Sequence, residues 1–169
     1  MIVLIGFMGA GKTTVGRLIA QRLGLPFADS DQVIERRAGR TVAELFAADG
    51  EVAFRELEKG VVLELLAGPD AVLALGGGAV QDPVTRSAVA ARTAIHLKVG
   101  EQQVRARIGS DPRRPLLAGS DLALLLRQRL PHYEEAARLR VATDGRPAAT
   151  VAEEIIAALA RGDGKSPAG

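Results

Sequence analysis

Two kinds of hydrophobic pattern alternate along most of this chain. Apolar runs, which are typical of strands buried in a parallel sheet, occur at 2–5 and 71–75, and further strands are predicted at 93–99 and, more briefly, at 25–28 and 139–142. Between these runs, apolar residues recur every three or four positions, which indicates amphipathic helices. The alternation predicts a three-layer α/β/α fold with a five-stranded parallel sheet and right-handed crossovers.

Helix boundaries are marked by capping and turn residues. Gly24 ends the first predicted helix, and Thr41 with Glu44 forms a capping box before a helix that breaks at Asp49-Gly50. Further helices are predicted at 33–38, 51–67, 83–91, 101–108, 122–137 with a break near Pro131, and 149–160. In the 51–67 helix the predicted buried stripe comprises Phe54, Leu57, Val61 and Leu65.

The first strand leads into a glycine-rich loop, Gly6-x-x-x-x-Gly11-Lys12-Thr13, which fits the P-loop pattern. Gly6, Gly9 and Gly11 would let the backbone approach an anion, and Lys12 would neutralise the β- and γ-phosphates. Thr13 would offer its hydroxyl to Mg²⁺. The alternative is a glycine-rich turn with a surface lysine. We expect strand order 2-3-1-4-5, which places this loop where open α/β sheets bind ligands.

Length and composition limit the number of domains, the kind of metal site and the partners that the chain can be expected to have. A length of 169 residues predicts one domain over 1–162, and we expect 163–169 to be a disordered tail. A net charge of +2 is too small to indicate nucleic acid as the main partner, despite a pI of 9.4. The chain has no cysteine and only two histidines, so any metal is expected to have oxygen ligands. It shows neither a leader-like segment nor a bilayer-spanning apolar run, and we expect a soluble cytoplasmic protein without membrane partners.

Two acidic residues follow the second predicted strand. Asp29 and Asp31 stand where its carboxyl end would face the P-loop, so that one carboxylate could order a metal's water and the other accept the proton of a substrate hydroxyl. The alternative is that Asp31 caps the next helix.

Arg55 and Arg129 are far apart in sequence, yet each lies on a helix expected to flank the cleft. The alternative is a surface ion pair, such as Arg55 with Glu51 or Glu58. Gly76-Gly-Gly78, directly after the third strand, would let backbone lie against a ligand, with a tight turn as the alternative. The irregular segment 109–119 is long enough for a lid.

These residues together resemble a known family. The chain carries Gly6 to Thr13, Asp29-x-Asp31, Phe54-Arg55-x-x-Glu58, Gly76-Gly-Gly78, Arg114-Pro-Leu-Leu117 and Arg129-x-Pro-x-Tyr133 in the order and spacing of shikimate kinases. The resemblance covers about residues 1 to 160. It implies transfer of the ATP γ-phosphoryl group to the 3-hydroxyl of shikimate, giving shikimate 3-phosphate and ADP in the pathway to aromatic amino acids.

The resemblance also implies roles for individual residues. Asp31 is expected to contact the shikimate hydroxyls, and Arg55 and Arg129 its carboxylate. The backbone of Gly76, Gly77 and Gly78 is expected beside the substrate. The expected catalytic residues are Lys12, Asp31 and Arg114. Mg²⁺ would be held by Thr13 and, through water, by Asp29. The expected ATP site comprises Gly9, Ala10, Gly11, Lys12, Thr13, Thr14, Arg107, Arg114 and Arg146. ATP and shikimate are the expected partners of a monomer.

Two positions depart from common patterns. Leu75 is followed by glycines where many P-loop enzymes carry an acidic residue, and Gly145-Arg146-Pro147 lacks the asparagine often seen at the adenine.

The sequence also leaves alternative functions open. Gluconate-type and nucleoside-monophosphate kinases share the core and could use the same charges, and a nucleotide-dependent switch is a candidate from another class.

Overall fold

The computed structural model describes residues 1–108 and 122–162. The predicted lid at 109–119, including Arg114, and the predicted tail at 163–169 lie outside the described residues. The five strands are β1 (Ile2–Ile5), β2 (Phe27–Asp29), β3 (Val72–Ala74), β4 (Thr93–Lys98) and β5 (Leu139–Ala142).

Seven helices are described between and after these strands. They are α1 (Lys12–Leu23), α2 (Ser30–Ala38), α3 (Val42–Ala67), α4 (Pro83–Ala90), α5 (Glu101–Ile108), α6 (Leu122–Ala136) and α7 (Ala148–Arg161), and a short 3₁₀ helix spans Ala79–Gln81. Within the described residues, none of the helices has the length and hydrophobicity needed to cross a membrane.

The sheet confirms the predicted topology. Its strands are all parallel, in the order β2-β3-β1-β4-β5. In register, Ile2 of β1 lies beside Val72 of β3 on one side and Thr93 of β4 on the other. The carboxyl end of the central strand β1 therefore opens at the switch in winding direction, which is where ligands bind in such sheets.

Helices flank the sheet. The helix α1 packs against α7 and β3, whereas α4 contacts α3, α6 and β4. The main core is built on β1, β3 and β4, whose Val3, Leu4, Ala94 and Ile95 are fully buried. A second cluster joins α2 to α3 through Val33, Ile34, Leu45, Phe54 and Val61. This second cluster fixes the helix that carries Arg55.

The helix α3 bends where the sequence predicted a break. Gly50 has φ 80° and ψ 169° inside the helical span, and the predicted capping box of Thr41 with Glu44 is present at its start. The predicted buried stripe is wrong at Leu57, which is 39% exposed, and Leu65 is only partly buried. Glu58, only 2% exposed, lies on the stripe instead, four residues after Phe54 and three before Val61.

The predicted break near Pro131 is also wrong, because α6 runs through it from Leu122 to Ala136. Proline removes an N–H and crowds the carbonyl of the residue four positions earlier, here Arg127. Both Arg127 and Pro131 are exposed, so water can satisfy that carbonyl. On the opposite face Arg129, Tyr133 and Ala136 are buried at helical spacing and hold the helix in place.

Candidate active site

The loop between β1 and α1 leaves the start of α1 uncapped by any side chain of the described residues. Gly11 is its N-cap, in the left-handed region at φ 88°. The Lys12 ammonium donates hydrogen bonds to the carbonyl oxygens of Gly6 at 2.8 Å and Phe7 at 3.0 Å. Helix amides beside a cation held against the loop favour a bound anion, so the geometry supports the P-loop interpretation over a simple turn.

Asp29 connects the start of α2 to the P-loop. It is the N-cap of α2, and its Oδ1 accepts hydrogen bonds from the backbone N–H groups of Asp31 at 3.1 Å and Gln32 at 3.5 Å. Its Oδ2 accepts the Thr13 hydroxyl at 2.6 Å. The alternative that Asp31 is the helix cap is therefore wrong. A hydroxyl and a carboxylate side by side form an oxygen donor set of the kind Mg²⁺ prefers, so these two residues fit that metal.

Two carboxylates, those of Asp31 and Glu58, flank Gly76. A Cβ atom on Gly76 would lie 2.5 Å from Asp31 Oδ1 and 2.5 Å from Glu58 Oε1. Burial, followed by the charges of Asp29 and Glu58, raises the pKa of Asp31 to about 6, while Lys12 opposes this shift. A carboxylate of raised pKa is a better acceptor for the hydrogen of a substrate hydroxyl.

Arg55 is held by two acidic residues of its own helix. Its Nη1 donates to Glu58 Oε2 at 2.6 Å, and its Nη2 lies 3.3 Å from Glu51 Oε1. The guanidinium carbon also lies 5.4 Å and 5.5 Å from the ring centres of Phe46 and Phe54. The predicted ion pairs are thus present, but the Glu58 carboxylate is buried, so this is not a solvated surface pair. The contacts fix the guanidinium at the cleft wall.

Arg129 reaches the same cleft from α6 and is only 4% exposed. Its Nη1 donates to the Gly77 carbonyl at 3.4 Å, and its guanidinium carbon lies 5.6 Å from the Phe7 ring centre. Its buried Nε has no hydrogen-bond partner in the structure of residues 1–108 and 122–162. Burial lowers the pKa of Arg129, and nearby Arg55 acts in the same direction. A buried cation with donors to spare is suited to an anionic ligand.

The three glycines after β3 leave room for these charged groups. A Cβ on Gly78 would lie 2.2 Å from Arg55 Nη1. Any side chain at this position would therefore displace the guanidinium. The loop is also anchored, because the backbone N–H of Gly76 donates to Ser30 Oγ at 2.9 Å and the Gly77 carbonyl accepts the Tyr133 hydroxyl at 2.5 Å. The loop is more than a tight turn, since glycine is needed for close approach to the charged side chains.

All these groups meet in one cleft of about 470 Å³. Its lining includes P-loop residues, both predicted acidic residues, both predicted arginines and all three glycines: Met8, Gly9, Gly11, Lys12, Thr13, Thr14, Asp29, Asp31, Arg55, Glu58, Gly76, Gly77, Gly78 and Arg129. One end is suited to phosphates, and the other combines a carboxylate acceptor with two cations.

Two arginines of the expected ATP site, Arg107 and Arg146, make contacts near the end of β5. Arg107 donates to the Gly9 carbonyl at 2.9 Å and to the Thr143 carbonyl at 2.8 Å, and so connects the P-loop with the segment after β5. Arg146 donates to the Ala142 carbonyl at 3.0 Å and pairs with Glu154. Arg107 thus contacts the P-loop backbone and Arg146 does not, and neither arginine is among the described residues that line the cleft.

Comparisons with known proteins show the family to which the chain belongs. A model of the family described as "Shikimate kinase" matches residues 8–160. The chain belongs to the shikimate kinase family. A shikimate kinase from Thermobifida fusca (strain YX) is 48% identical over 167 residues, which are 96% of this chain and 97% of the relative. The solved structure of a shikimate kinase from Acinetobacter baumannii in complex with shikimate matches with a TM-score of 0.90 at 37% identity, over 95% of this chain and 93% of the other.

A more distant neighbour shares the fold alone. A gluconokinase from Sinorhizobium meliloti 1021 matches with a TM-score of 0.55 at 19% identity, over 95% of this chain and 91% of the other. At this identity the match shows a shared architecture and does not indicate a shared acceptor, because one fold can carry different functions.

Three residues of the site had no predicted role in holding it, although two of them, Glu58 and Tyr133, belong to the quoted motifs. Ser30, the middle residue of Asp29-x-Asp31, holds Gly76, and the Tyr133 hydroxyl holds Gly77. The third is the buried Glu58. Its position four residues after Phe54 was an available signal, because an acidic residue on an apolar stripe indicates a buried, paired carboxylate.

Asp31→Asn is expected to stabilise the ligand-free protein at neutral pH. The pKa of Asp31 is about 6 in the folded protein, above its ordinary value of 3.8. The folded state is therefore favoured by protonation of Asp31 below pH 3.8, and this contribution to stability is lost as pH rises through 6. Asparagine carries no charge at any of these pH values, so the variant does not lose stability in this way. At pH 8 we expect a gain on the order of 1–2 kcal/mol, which raises Tm by about 3–6 °C.

Thermal melts of both proteins between pH 4 and pH 8 measure the difference, which should shrink as pH falls. An Asp31→Asn advantage that is independent of pH would contradict the raised pKa.

Proposed function

We propose that this protein transfers the γ-phosphoryl group of ATP to the 3-hydroxyl of shikimate, giving shikimate 3-phosphate and ADP. The observation that carries the proposal is the acceptor end of the cleft, where Arg55, Arg129 and the Asp31 carboxylate lie beside the P-loop. A ring that carries a carboxylate and several hydroxyls matches this combination of cations and hydrogen-bond acceptor.

In the proposed reaction the acceptor is held from both sides. Arg55 and Arg129 bind the shikimate carboxylate, and Asp31 accepts the hydrogen of a ring hydroxyl. The backbone of the loop Gly76-Gly-Gly78 contacts the ring. This orientation directs the 3-hydroxyl at the γ-phosphorus, and positioning of this kind supplies much of the catalysis in phosphoryl transfer.

The bond changes are simple. The bond between the 3-oxygen and the γ-phosphorus forms as the bond from that phosphorus to the β,γ-bridging oxygen breaks, and the hydroxyl proton passes to Asp31 or to solvent. Lys12 and the N-terminal amides of α1 stabilise the negative charge on the β- and γ-phosphates. Mg²⁺, held by Thr13 directly and by Asp29 through water, would neutralise further phosphate charge.

The remaining ATP contacts are also proposals. Gly9, Ala10, Gly11 and Thr14 complete the phosphate site, and Arg107 lies at its edge. Arg146 is proposed at the adenine, near the end of β5. Arg114 lies outside the described residues and is proposed to reach the phosphates when ATP is bound.

An acceptor panel tests the activity. ADP release is measured with shikimate, quinate, gluconate, AMP or no acceptor, each with Mg²⁺ and again with EDTA. Among these acceptors, we expect only shikimate to give rapid ADP release, and we expect EDTA to abolish that release. Preference for gluconate or AMP would favour a different kinase, and acceptor-independent turnover would favour a nucleotide hydrolase or switch.

We also propose a cytoplasmic monomer without nucleic acid or membrane partners. Large exposed apolar side chains are spread over four helices, at Leu23, Val52, Leu57, Val84, Leu124 and Leu130, rather than gathered in one described patch. Light scattering of the purified protein should give the mass of one chain, and a dimer mass would overturn this part of the proposal.

The two arginines of the predicted lid should differ. Arg114→Ala is expected to lower kcat at least about 10²-fold with little change in shikimate affinity, because a cation at the γ-phosphoryl oxygens acts in the transition state. Arg113→Ala, the matched control, should be near neutral. Steady-state kinetics on the pair decides, and equal small losses would argue against a catalytic Arg114.

A further inference from the structure

The Tyr133 side chain lies under the acceptor end of the cleft, with 2% of the residue exposed. Its hydroxyl donates a hydrogen bond to the Gly77 carbonyl at 2.5 Å, across 56 residues of sequence. Burial raises the pKa of Tyr133 to about 12, so the phenol keeps its proton throughout the physiological range. The hydroxyl is thus a permanent donor to the triple-glycine loop.

The ring of Tyr133 is fixed by a neighbour on the central sheet. The His96 ring centre lies 5.0 Å from that of Tyr133. Burial lowers the pKa of His96 to about 4, so this imidazole is neutral near pH 7. His96 also packs against the start of the P-loop, since a Cβ on Gly6 would lie 3.3 Å from its Cδ2. The Tyr133 hydroxyl therefore has little freedom to leave Gly77.

Arg129 approaches the same carbonyl oxygen less closely. Its Nη1 lies 3.4 Å from the Gly77 oxygen, against 2.5 Å for the Tyr133 hydroxyl. Without the phenol, that carbonyl would keep only the guanidinium as a donor among the described residues. Because Gly77 is half-buried and its carbonyl would have lost its nearest donor, the guanidinium would be drawn towards it.

Building on the proposed function, we propose that Tyr133 is a positioning residue for recognition of the acceptor carboxylate. Its hydroxyl occupies the Gly77 carbonyl, so that the Arg129 guanidinium stays available to the acceptor. Tyr133 itself acts through Arg129 and the loop and does not touch the reacting atoms.

The test pairs Tyr133→Phe with two acceptors. Phenylalanine keeps the ring against His96 and removes only the hydroxyl. The acceptors are shikimate and the alcohol obtained by reducing its carboxylate to CH₂OH, which keeps the ring hydroxyls but gives Arg129 no charge to bind. We expect KM for shikimate to rise about tenfold in the variant, the order expected when one hydrogen bond to a charged site is disturbed. KM for ATP and KM for the alcohol should stay unchanged.

Ser30→Ala is the matched control. It also removes a buried hydroxyl that is hydrogen-bonded to the triple-glycine loop, but at Gly76 and away from Arg129. General loosening of the loop should raise KM for both acceptors together. Partial unfolding of either variant would lower the concentration of active enzyme, and hence apparent kcat, without changing KM.

An unchanged KM for shikimate in Tyr133→Phe would overturn the inference, and so would an equal rise for both acceptors. These outcomes leave the proposed function standing, provided the wild-type protein phosphorylates shikimate. If the wild-type protein does not, the proposed function fails and the inference fails with it.

Discussion

Lys12→Ala is expected to lower kcat by about 10³-fold or more while leaving the fold intact. The Lys12 ammonium is held against the P-loop backbone by the carbonyls of Gly6 and Phe7, at the start of α1. In the proposed reaction it stabilises charge that grows on the transferring phosphoryl group, so its loss acts mainly in the transition state.

Rapid-quench or steady-state kinetics with shikimate and ATP measures the effect on kcat, and a thermal melt measures the fold. Lys98→Ala is the control, because Lys98 is a half-exposed lysine at the end of β4 whose ammonium faces the Glu134 carboxylate. Normal turnover in Lys12→Ala would remove the P-loop from the mechanism. A similar loss in both variants would indicate a nonspecific effect of lost positive charge.

Arg129→Ala is expected to weaken shikimate binding by roughly 2–5 kcal/mol, which corresponds to a factor of about 30 to several thousand in Kd. The reason is its burial, since Arg129 is only 4% exposed and water cannot replace the lost cation easily. Arg55→Ala should have the smaller effect of the two. Its side chain is 23% exposed, and part of its charge is already balanced by Glu51 and Glu58.

Calorimetric titration of shikimate into each variant gives Kd without turnover. Arg129→Lys serves as the matched variant, because it keeps the charge and loses the planar pair of donors, and it should lie between wild type and alanine. Asp31→Asn should instead lower kcat more than affinity, since it keeps the shape and removes the charge. If both alanine variants bind shikimate as tightly as the wild-type protein, the arginine clamp is wrong.

Much of the fold could be predicted from sequence because its signals are local. Apolar runs and helical periodicity gave the positions of the five strands, and Thr41 with Glu44 and Gly50 gave the start and the bend of α3. The P-loop was equally accessible, since its glycines, lysine and hydroxyl lie within eight residues of sequence. Each of these features is decided by backbone geometry and contacts between close neighbours in the chain.

Predictions from local sequence were wrong where two neighbouring residues were both candidates for one structural position. Asp29 and Asp31 are both good helix caps, and the strand β2 extends far enough to put Asp29 at the N-cap and Asp31 in the first turn. Leu57 and Glu58 are similarly adjacent, and hydrophobicity favoured the leucine. The buried position went to Glu58, which pairs there with Arg55 beside Gly76.

The sequence by itself thus determined the sheet, the P-loop and most of the charged residues that face the cleft. Only the tertiary structure decided how those residues are held. Ser30 reaches Gly76 across 46 residues, and Tyr133 reaches Gly77 across 56. Neither bond leaves a periodic signal in the chain, because each depends on which strands are neighbours and on how α6 packs against β4. A hydrogen bond between distant residues exists only once the sheet and its helices have brought donor and acceptor within about 3 Å.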